Sequence, residues 1–324
     1  MTVAILVVGG AGYIGSHTCL DLSEQGCLPV TYDNLSNGHA EFVQWGPLET
    51  GELADTDRLS DVMAKYHPEA IVHFAGLIEV GQSVKDPLSF YSNNVSGTIS
   101  LLTAAERNGI DKIVFSSTCA TYGLPKTVPL SEDHPQAPIN PYGHSKLLVE
   151  TILRDCAAYR DLKPVILRYF NAAGADFEGR IGERHDPETH VVPIAIDVAL
   201  GRRDQFVCNG TDYDTRDGSA VRDYVHVADL ARAHSRAVSY LLNGGDAVTL
   251  NLGTGHGTTV FELVKAVERV CGRPFPLRTG PRREGDAPVL VADNRKARDV
   301  LDWAPKYDLD AIVQSAWNWH TAPR

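Results

Sequence analysis

The sequence predicts an α/β protein: a Rossmann-type, doubly wound parallel sheet at the N-terminus, followed by a smaller α+β lobe at the C-terminus. Three observations predict it. Short β-branched runs alternate with helix-length segments through the first 170 residues, the signature of parallel strands joined by crossover helices. A glycine-rich turn joins the first run to the first helix. Beyond Asn171 the alternation stops and glycine- and charge-rich loops take over. The expected division is therefore 1–170, with a returning segment near 223–250, and 171–324.

Thr2 to Val8 is a continuous aliphatic run, as a strand buried on both faces requires. It is too short for a signal peptide and has no basic segment before it. Gly9, Gly12 and Gly15 follow in a G-x-x-G-x-x-G turn, and Ser16 to Gln25 has helical spacing. Such a turn lets the backbone approach a pyrophosphate at the helix N-terminus. The next run, Pro29 to Tyr32, ends in Asp33-Asn34, and Asp33 stands 18 residues after Gly15. That is close to the ~20 expected of a carboxylate that binds ribose hydroxyls and favours NAD over NADP.

Thr56 to Tyr66 reads as a helix and Ala70 to Gly76 as a buried strand, with His73 a satisfied core histidine. Ser89 to Asn108 reads as a helix with Val95, Ile99, Leu102 and Ala105 on its apolar stripe. Strand Ile113–Ser117, helix Tyr142 to Cys156 and strand Pro164 to Phe170 continue the alternation. Thr118 brings a hydroxyl to a strand end, while Tyr142 and Lys146, four apart, share one face of a helix. An ammonium within a few ångström favours the phenolate, so the three groups can move a proton on and off an alcohol.

In the second lobe, Gly174 to His190 suggests a loop over a site, and helices are expected at Val191–Leu200, Asp229–Asn243 and Thr258–Cys271. Leu309, Ile312, Val313, Ala316 and Trp317 recur at helical spacing, so the late tryptophans belong to a core.

The net charge of −11 without a basic run argues against nucleic acid or an anionic membrane surface as partner. No apolar run approaches the ~18 residues of a membrane span. Six scattered cysteines without a C-x-x-C pair argue against a disulfide framework or a zinc site, so no metal is expected and a reducing, cytoplasmic setting is.

Taken together, Gly9–Gly15, Asp33-Asn34, His73-Phe74-Ala75-Gly76, Asn93-Asn94-Val95, Ser116-Ser117-Thr118, Tyr142-x-x-x-Lys146 and Arg168-Tyr169-Phe170-Asn171 resemble the extended short-chain dehydrogenase/reductases. Val221 to Val227 and Arg283-Glu284-Gly285-Asp286 narrow the resemblance to the UDP-glucose 4-epimerase family and its close relatives. The resemblance implies a retained NAD that is reduced and reoxidised in each turnover, a UDP-sugar substrate and a homodimer built through the Ser89–Asn108 and Tyr142–Cys156 helices. It implies Tyr142 as base, Lys146 as the charge that lowers its pKa, and Thr118 as the hydroxyl on the sugar 4-oxygen. It places Tyr13, Ile14, Asn34, Asn37, Glu52, Leu53, Phe74, Ala75, Gly76, Asn93, Ser116 and Tyr169 at the cofactor. Asn171, Arg222 and Arg283 fall at the diphosphate, Asp286 at the uridine ribose, and His190, Val191 and Leu290 at the rest of the substrate.

Several positions depart from the family pattern. Ile78 stands where a lysine often lies near the cofactor phosphates, Glu52 where an aspartate often meets the adenine, and Thr118 where a serine is frequent. Leu290 replaces a tyrosine that restricts the sugar pocket in some relatives, which leaves room for a 2-acetamido sugar. Rival readings stay open: a UDP-pentose epimerase, a UDP-N-acetylglucosamine epimerase, a nucleotide-sugar 4,6-dehydratase and a non-catalytic NAD-binding protein. The dehydratase needs an acid–base pair after the threonine, where this chain has Cys119-Ala120.

Overall fold

The computed structural model describes residues 2–283 and 285–323; Glu284, part of one motif above, lies outside them. Its strands are β1 (Ala4–Val8), β2 (Leu28–Asp33), β3 (Leu48–Thr50), β4 (Ala70–His73), β5 (Lys112–Thr118), β6 (Lys163–Tyr169), β7 (Asn171–Ala173), β8 (Phe206–Asn209), β9 (Val221–Arg222), β10 (Tyr224–His226), β11 (Val248–Leu252), β12 (Thr258–Thr259), β13 (Leu277–Gly280) and β14 (Val289–Leu290). Its helices are α1 (Tyr13–Glu24), α2 (Thr56–Tyr66), α3 (Val80–Lys85), α4 (Pro87–Phe90), α5 (Gly97–Arg107), α6 (Pro141–Tyr159), α7 (Val191–Ala199), α8 (Val227–Leu242), α9 (Val260–Cys271), α10 (Arg295–Leu301) and α11 (Leu309–Thr321).

Seven strands form one parallel sheet in the order β11-β6-β5-β4-β1-β2-β3. Winding runs outward both ways from β1, so the strand order reverses between β1 and β4 and opens a crevice at their C-terminal ends. Side chains alternate across the sheet. Ile5 and Val7 join Val72, Val114, Val165 and Leu250 beneath α1 and α8, while Leu6 and Val8 join Val30, Ile71, Ile113 and Ile166 beneath α2, α5 and α6. Trp303 and Trp319 are buried as expected; Trp303 lies in the first of these cores and its indole donates to the Asp229 carbonyl. A third core gathers α7, α9 and α11 in the C-terminal lobe, where Thr259 and Glu262 cap α9 reciprocally.

The structure corrects two expectations. The Ser89–Asn108 helix contains a π-helical stretch, Tyr91–Ser96, between α4 and α5. Its wider turn moves the buried stripe to Asn94, Thr98, Leu101 and Ala105, and leaves Ile99 exposed. His73 is a core residue whose Nε2 lies 2.9 Å from the Thr98 hydroxyl, but its Nδ1 has no partner.

The strongest polar link in the core joins α6 to β5 and β6. Arg168 donates from Nε and Nη2 to the two Glu150 carboxylate oxygens at 2.9 and 2.7 Å, and both side chains are buried. Ser117 and Gln136 donate to the same carboxylate, while Arg168 Nη1 reaches the Tyr122 hydroxyl and the Glu132 carbonyl. Burial alone pushes the Glu150 carboxyl up, but Arg168 and the two donors hold it below the usual range. Removing one partner strands a buried charge, whereas removing both does not. Glu150→Gln is expected to lose about 3–5 kcal/mol in urea unfolding, and Glu150→Leu with Arg168→Met less. A double variant at least as unstable as the single one would reject the pair as the cause.

Candidate functional site

The site begins at the turn after β1. Gly9 has φ +84°, and a Cβ there would lie 2.5 Å from the Ala75 nitrogen, so only glycine fits. Helix α1 then starts at Gly12 with no side-chain cap and no acidic residue in its first turn. Its first N–H groups and positive dipole end are therefore free to meet an anion. At the end of β2, Asp33 accepts from the Ala11 nitrogen at 3.0 Å and the Leu35 nitrogen at 2.9 Å. Burial pushes its carboxyl up and these two donors pull it back. Asp33 thus braces the glycine turn while lining the crevice.

The crevice measures about 410 Å³ and runs from Asp33, Asn34 and Asn37 past Gly9–Gly15 and Phe74–Gly76 to Thr118, Tyr142 and Tyr169. Asn171, His190, Arg222 and Leu290 close it from the other lobe. Such a volume is that of a small-molecule site. A dinucleotide fits the features present: an uncapped helix N-terminus for pyrophosphate, Asp33 for ribose hydroxyls, and a glycine floor.

Helix α6 delivers Tyr142. Asn140 caps it by accepting from the Gly143 nitrogen at 2.8 Å, and Pro141 opens the first turn. A Cβ on Gly143 would lie 2.7 Å from the Ala120 carbonyl oxygen, so glycine lets α6 approach the end of β5. That approach sets Tyr142 in the same crevice wall as Thr118. Burial raises the phenol well above its ordinary pKa, Tyr169 adds to the rise, and Thr118 opposes it.

Lys146, one turn further along α6, is buried. Its Nζ donates to the Ser116 carbonyl at 3.0 Å, sits over the Phe115 ring and lies beneath Gly76. Burial draws its ammonium down to about 8, against the opposing pull of Glu150.

Other expected residues divide. Ser116 is buried away from the crevice, with its hydroxyl donated to Tyr169. Glu52 faces Asn34, whose amide donates to it at 2.9 Å, while its neighbour Leu53 lines the crevice. Asn93 lines it too, and Ile78 does so where a cation was noted as absent. Val191 begins α7 without reaching the crevice. Arg222 pairs with Asp286 at 2.9 Å, not with its sequence neighbour Asp223, which is buried and holds the Thr254, Gly255 and Ala292 nitrogens. Arg283 is exposed on the surface.

Sequence reasoning missed Glu150, although its place eight residues after Tyr142 puts it on the same helix face. It also missed Asn94, which ties the crevice floor to α6. Asn94 accepts from the Leu77 nitrogen and donates to the Leu77 carbonyl and Ser145 hydroxyl.

Residues 6–316 match the family model described as GDP-mannose 4,6 dehydratase. A curated relative from Rhizobium meliloti, a UDP-glucose 4-epimerase, is 66% identical over 98% of this chain and 97% of its own length. The crystal structure of UDP-glucose 4-epimerase from Brucella ovis in complex with NAD superposes with a TM-score of 0.96 at 49% identity, covering 98% of each chain. The enzyme from Stenotrophomonas maltophila, solved with NAD and formylated UDP-arabinopyranose, has a TM-score of 0.96 at 39% identity, covering 98% of this chain and 97% of that one.

The geometry sets a pH signature. A tyrosine base works as phenolate, so activity is present above its pKa and is lost as pH falls through it. Thr118 lowers that pKa; Thr118→Val should therefore move the acid limb of the kcat profile to higher pH, while Thr118→Ser should leave it near wild type. Identical acid limbs in all three proteins would remove Thr118 from the control of the phenol.

Proposed function

The chain belongs to the UDP-glucose 4-epimerases, NAD-dependent isomerases among the extended short-chain dehydrogenase/reductases, and from this premise we propose how its residues divide the work. Residues 1–170, with the returning segment near 223–250, take the dinucleotide, and residues 171–324 take the UDP-sugar. Bound NAD supplies the acceptor, and later the donor, of a hydride. Tyr142 Oη takes the proton of the sugar 4-hydroxyl as C4 gives up its hydride, and the Thr118 hydroxyl holds the 4-oxygen. Lys146 stabilises the ribose side and the site's charge. Once the 4-keto sugar has turned about its link to the diphosphate, Tyr142 Oη would give the proton back to the 4-oxygen, so that C4 is inverted. The observation that carries this reading is that Tyr142 and Thr118 line one crevice with the glycine turn and Asp33.

At the other end, Arg222 exchanges Asp286 for the diphosphate, beside Asn171, which frees Asp286 for the uridine ribose. A guanidinium fork suits phosphate. The dehydratase reading lacks support at the residues. Cys119, where an acid–base pair would begin, has its thiol pushed up by burial to about 12, and Ala120 has no proton to move.

Two coarser matters follow. All six cysteines are free, which supports a reducing setting such as the cytoplasm, and among the described residues no helix is long and apolar enough to cross a membrane. Val84, Leu88, Ile99 and Leu148 leave apolar side chains exposed on α3, α4, α5 and α6, which supports a homodimer through these helices.

Purified protein given UDP-galactose in deuterated water, without added NAD, should form UDP-glucose with no deuterium at C4. Tyr142→Phe should lose about 10²–10⁴ in kcat while keeping its NAD. Deuterium at C4, or full activity in the variant, would refute the mechanism. Turnover of UDP-N-acetylglucosamine or a UDP-pentose in the same assay defines the sugar range. Leu88→Glu should halve the mass seen by light scattering, and an unchanged mass would remove this face from the interface.

A further inference from the structure

A segment of the C-terminal lobe reaches back onto the N-terminal lobe at the cofactor end of the crevice. Residues 174–185 follow β7, and Arg184 lines the crevice together with Asn37, Gly38 and Phe42. The segment holds its own shape. Arg180 donates from Nε and Nη2 to the two Asp176 carboxylate oxygens, each at 2.8 Å, and the Asp176 nitrogen donates to the Ile181 carbonyl at 3.1 Å. A Cβ on Gly182 would lie 2.4 Å from the Trp319 ring, whose indole donates to the Glu183 carbonyl at 2.9 Å. The segment is thus carried as one piece by α11 and the C-terminal lobe.

It meets the N-terminal lobe at two places. Near its start, the Tyr13 hydroxyl in the first turn of α1 donates to the Gly174 carbonyl at 2.6 Å. Near its end, it meets residues 39–42, which are fixed beside the glycine turn. There the His39 nitrogen donates to the Ala11 carbonyl at 2.9 Å, and a Cβ on Gly38 would lie 2.8 Å from Asp33 Oδ1. His39 Nε2 lies 3.0 Å from the Arg184 carbonyl oxygen. The Arg184 guanidinium pairs with Glu41 and lies 5.0 Å from the centre of the Phe42 ring, and Phe42 is buried with Trp319 edge-on at 5.8 Å. Among the described residues, Arg184–Glu41 is the one ion pair that joins the segment to the N-terminal lobe.

We infer that residues 174–185 form a strap that retains the dinucleotide, and that Arg184, clasped by Glu41 and Phe42, is its latch. The inference rests on NAD filling this crevice, as in the reading above. A dinucleotide that meets the glycine turn and Asp33 lies between the two contacts, so it leaves when the latch parts from residues 39–42. The pair is partly exposed, with Arg184 at 34% and Glu41 at 62%, so it breaks far more easily than the buried pair of Glu150 and Arg168. Retention is then a rate that a surface ion pair sets and that salt screens. Arg184 acts through Glu41 and Phe42, as a positioning residue.

The test follows exchange of bound NAD rather than turnover. Full-length holoprotein is mixed with excess carbon-13-labelled NAD, and mass spectrometry of the cofactor released after rapid desalting reads the labelled fraction over time. Arg184→Glu should exchange about 10-fold faster than wild type, because it turns attraction to Glu41 into repulsion and loses the contact with Phe42. Arg184→Glu combined with Glu41→Arg restores the pair and should return most of the rate. Arg107→Ala breaks an exposed pair with Asp57 elsewhere and should leave the rate unchanged. In the wild type, which needs no variant to fold, raising salt from about 0.05 to about 0.5 M should speed exchange. Bound NAD that exchanges equally fast in wild type and Arg184→Glu, a double variant no slower than the single one, or a wild-type rate that does not rise with salt would overturn the latch alone. A wild-type chain that neither carries nor takes up NAD would overturn the reading on which the latch rests, and the latch with it.

Discussion

The bidentate pair between Glu150 and Arg168 holds the reacting side of the crevice in place. Glu150 lies on α6 one turn beyond Lys146 and two beyond Tyr142; Arg168 lies on β6; Ser117, which also bonds Glu150, precedes Thr118 on β5. The two elements that carry the hydroxyl, the phenol and the ammonium are thus fastened to each other and to β6 at one buried point. The pair is costly to desolvate, and its return is geometry more than stability. Proton transfer needs the donor and acceptor within a hydrogen bond, so an ångström of slack between α6 and β5 would matter to chemistry long before it mattered to folding.

Much of the fold was legible because its central strands are buried on both faces and so read as unbroken aliphatic runs. Thr56–Tyr66 was legible to the residue, with Asp55 as its cap. What escaped was whatever departs from a regular period. Strand β3 is three residues between a proline and a glycine, too short to show alternation. The π-helical stretch keeps helical composition, and its extra residue per turn appears only in which side chains end up buried. Asn94, which sits inside that stretch and bonds Leu77 and Ser145, accounts for its position beside the crevice.

The candidate site was legible in identity and less so in geometry. Spacing brings Tyr142 and Lys146 to one helix face, and what it does not show is where each side chain ends. Lys146 spends its ammonium on the Ser116 carbonyl. Arg222 shows the same limit: spacing does not reveal that its guanidinium pairs with Asp286, while its neighbour Asp223 is buried on the Thr254, Gly255 and Ala292 nitrogens.

An acidic chain that takes an anionic ligand faces a physical conflict, and the structure resolves it locally. With a net charge of −11, long-range attraction to a dinucleotide or a diphosphate is absent. Affinity must come from groups that act over a few ångström. At one end of the crevice these are the uncapped N–H groups of α1, which carry no counter-ion of their own. At the other end the cation is Arg222, already neutralised by Asp286. The guanidinium is thereby kept extended toward the crevice at little cost in rotamer entropy, and replacing a carboxylate by a phosphate exchanges one anionic acceptor for another. A free arginine at the same place would attract anions more strongly but would have to be ordered on binding. The resident ion pair gives up attraction for preorganisation, which suits a site that must hold the nucleotide firmly while the sugar turns.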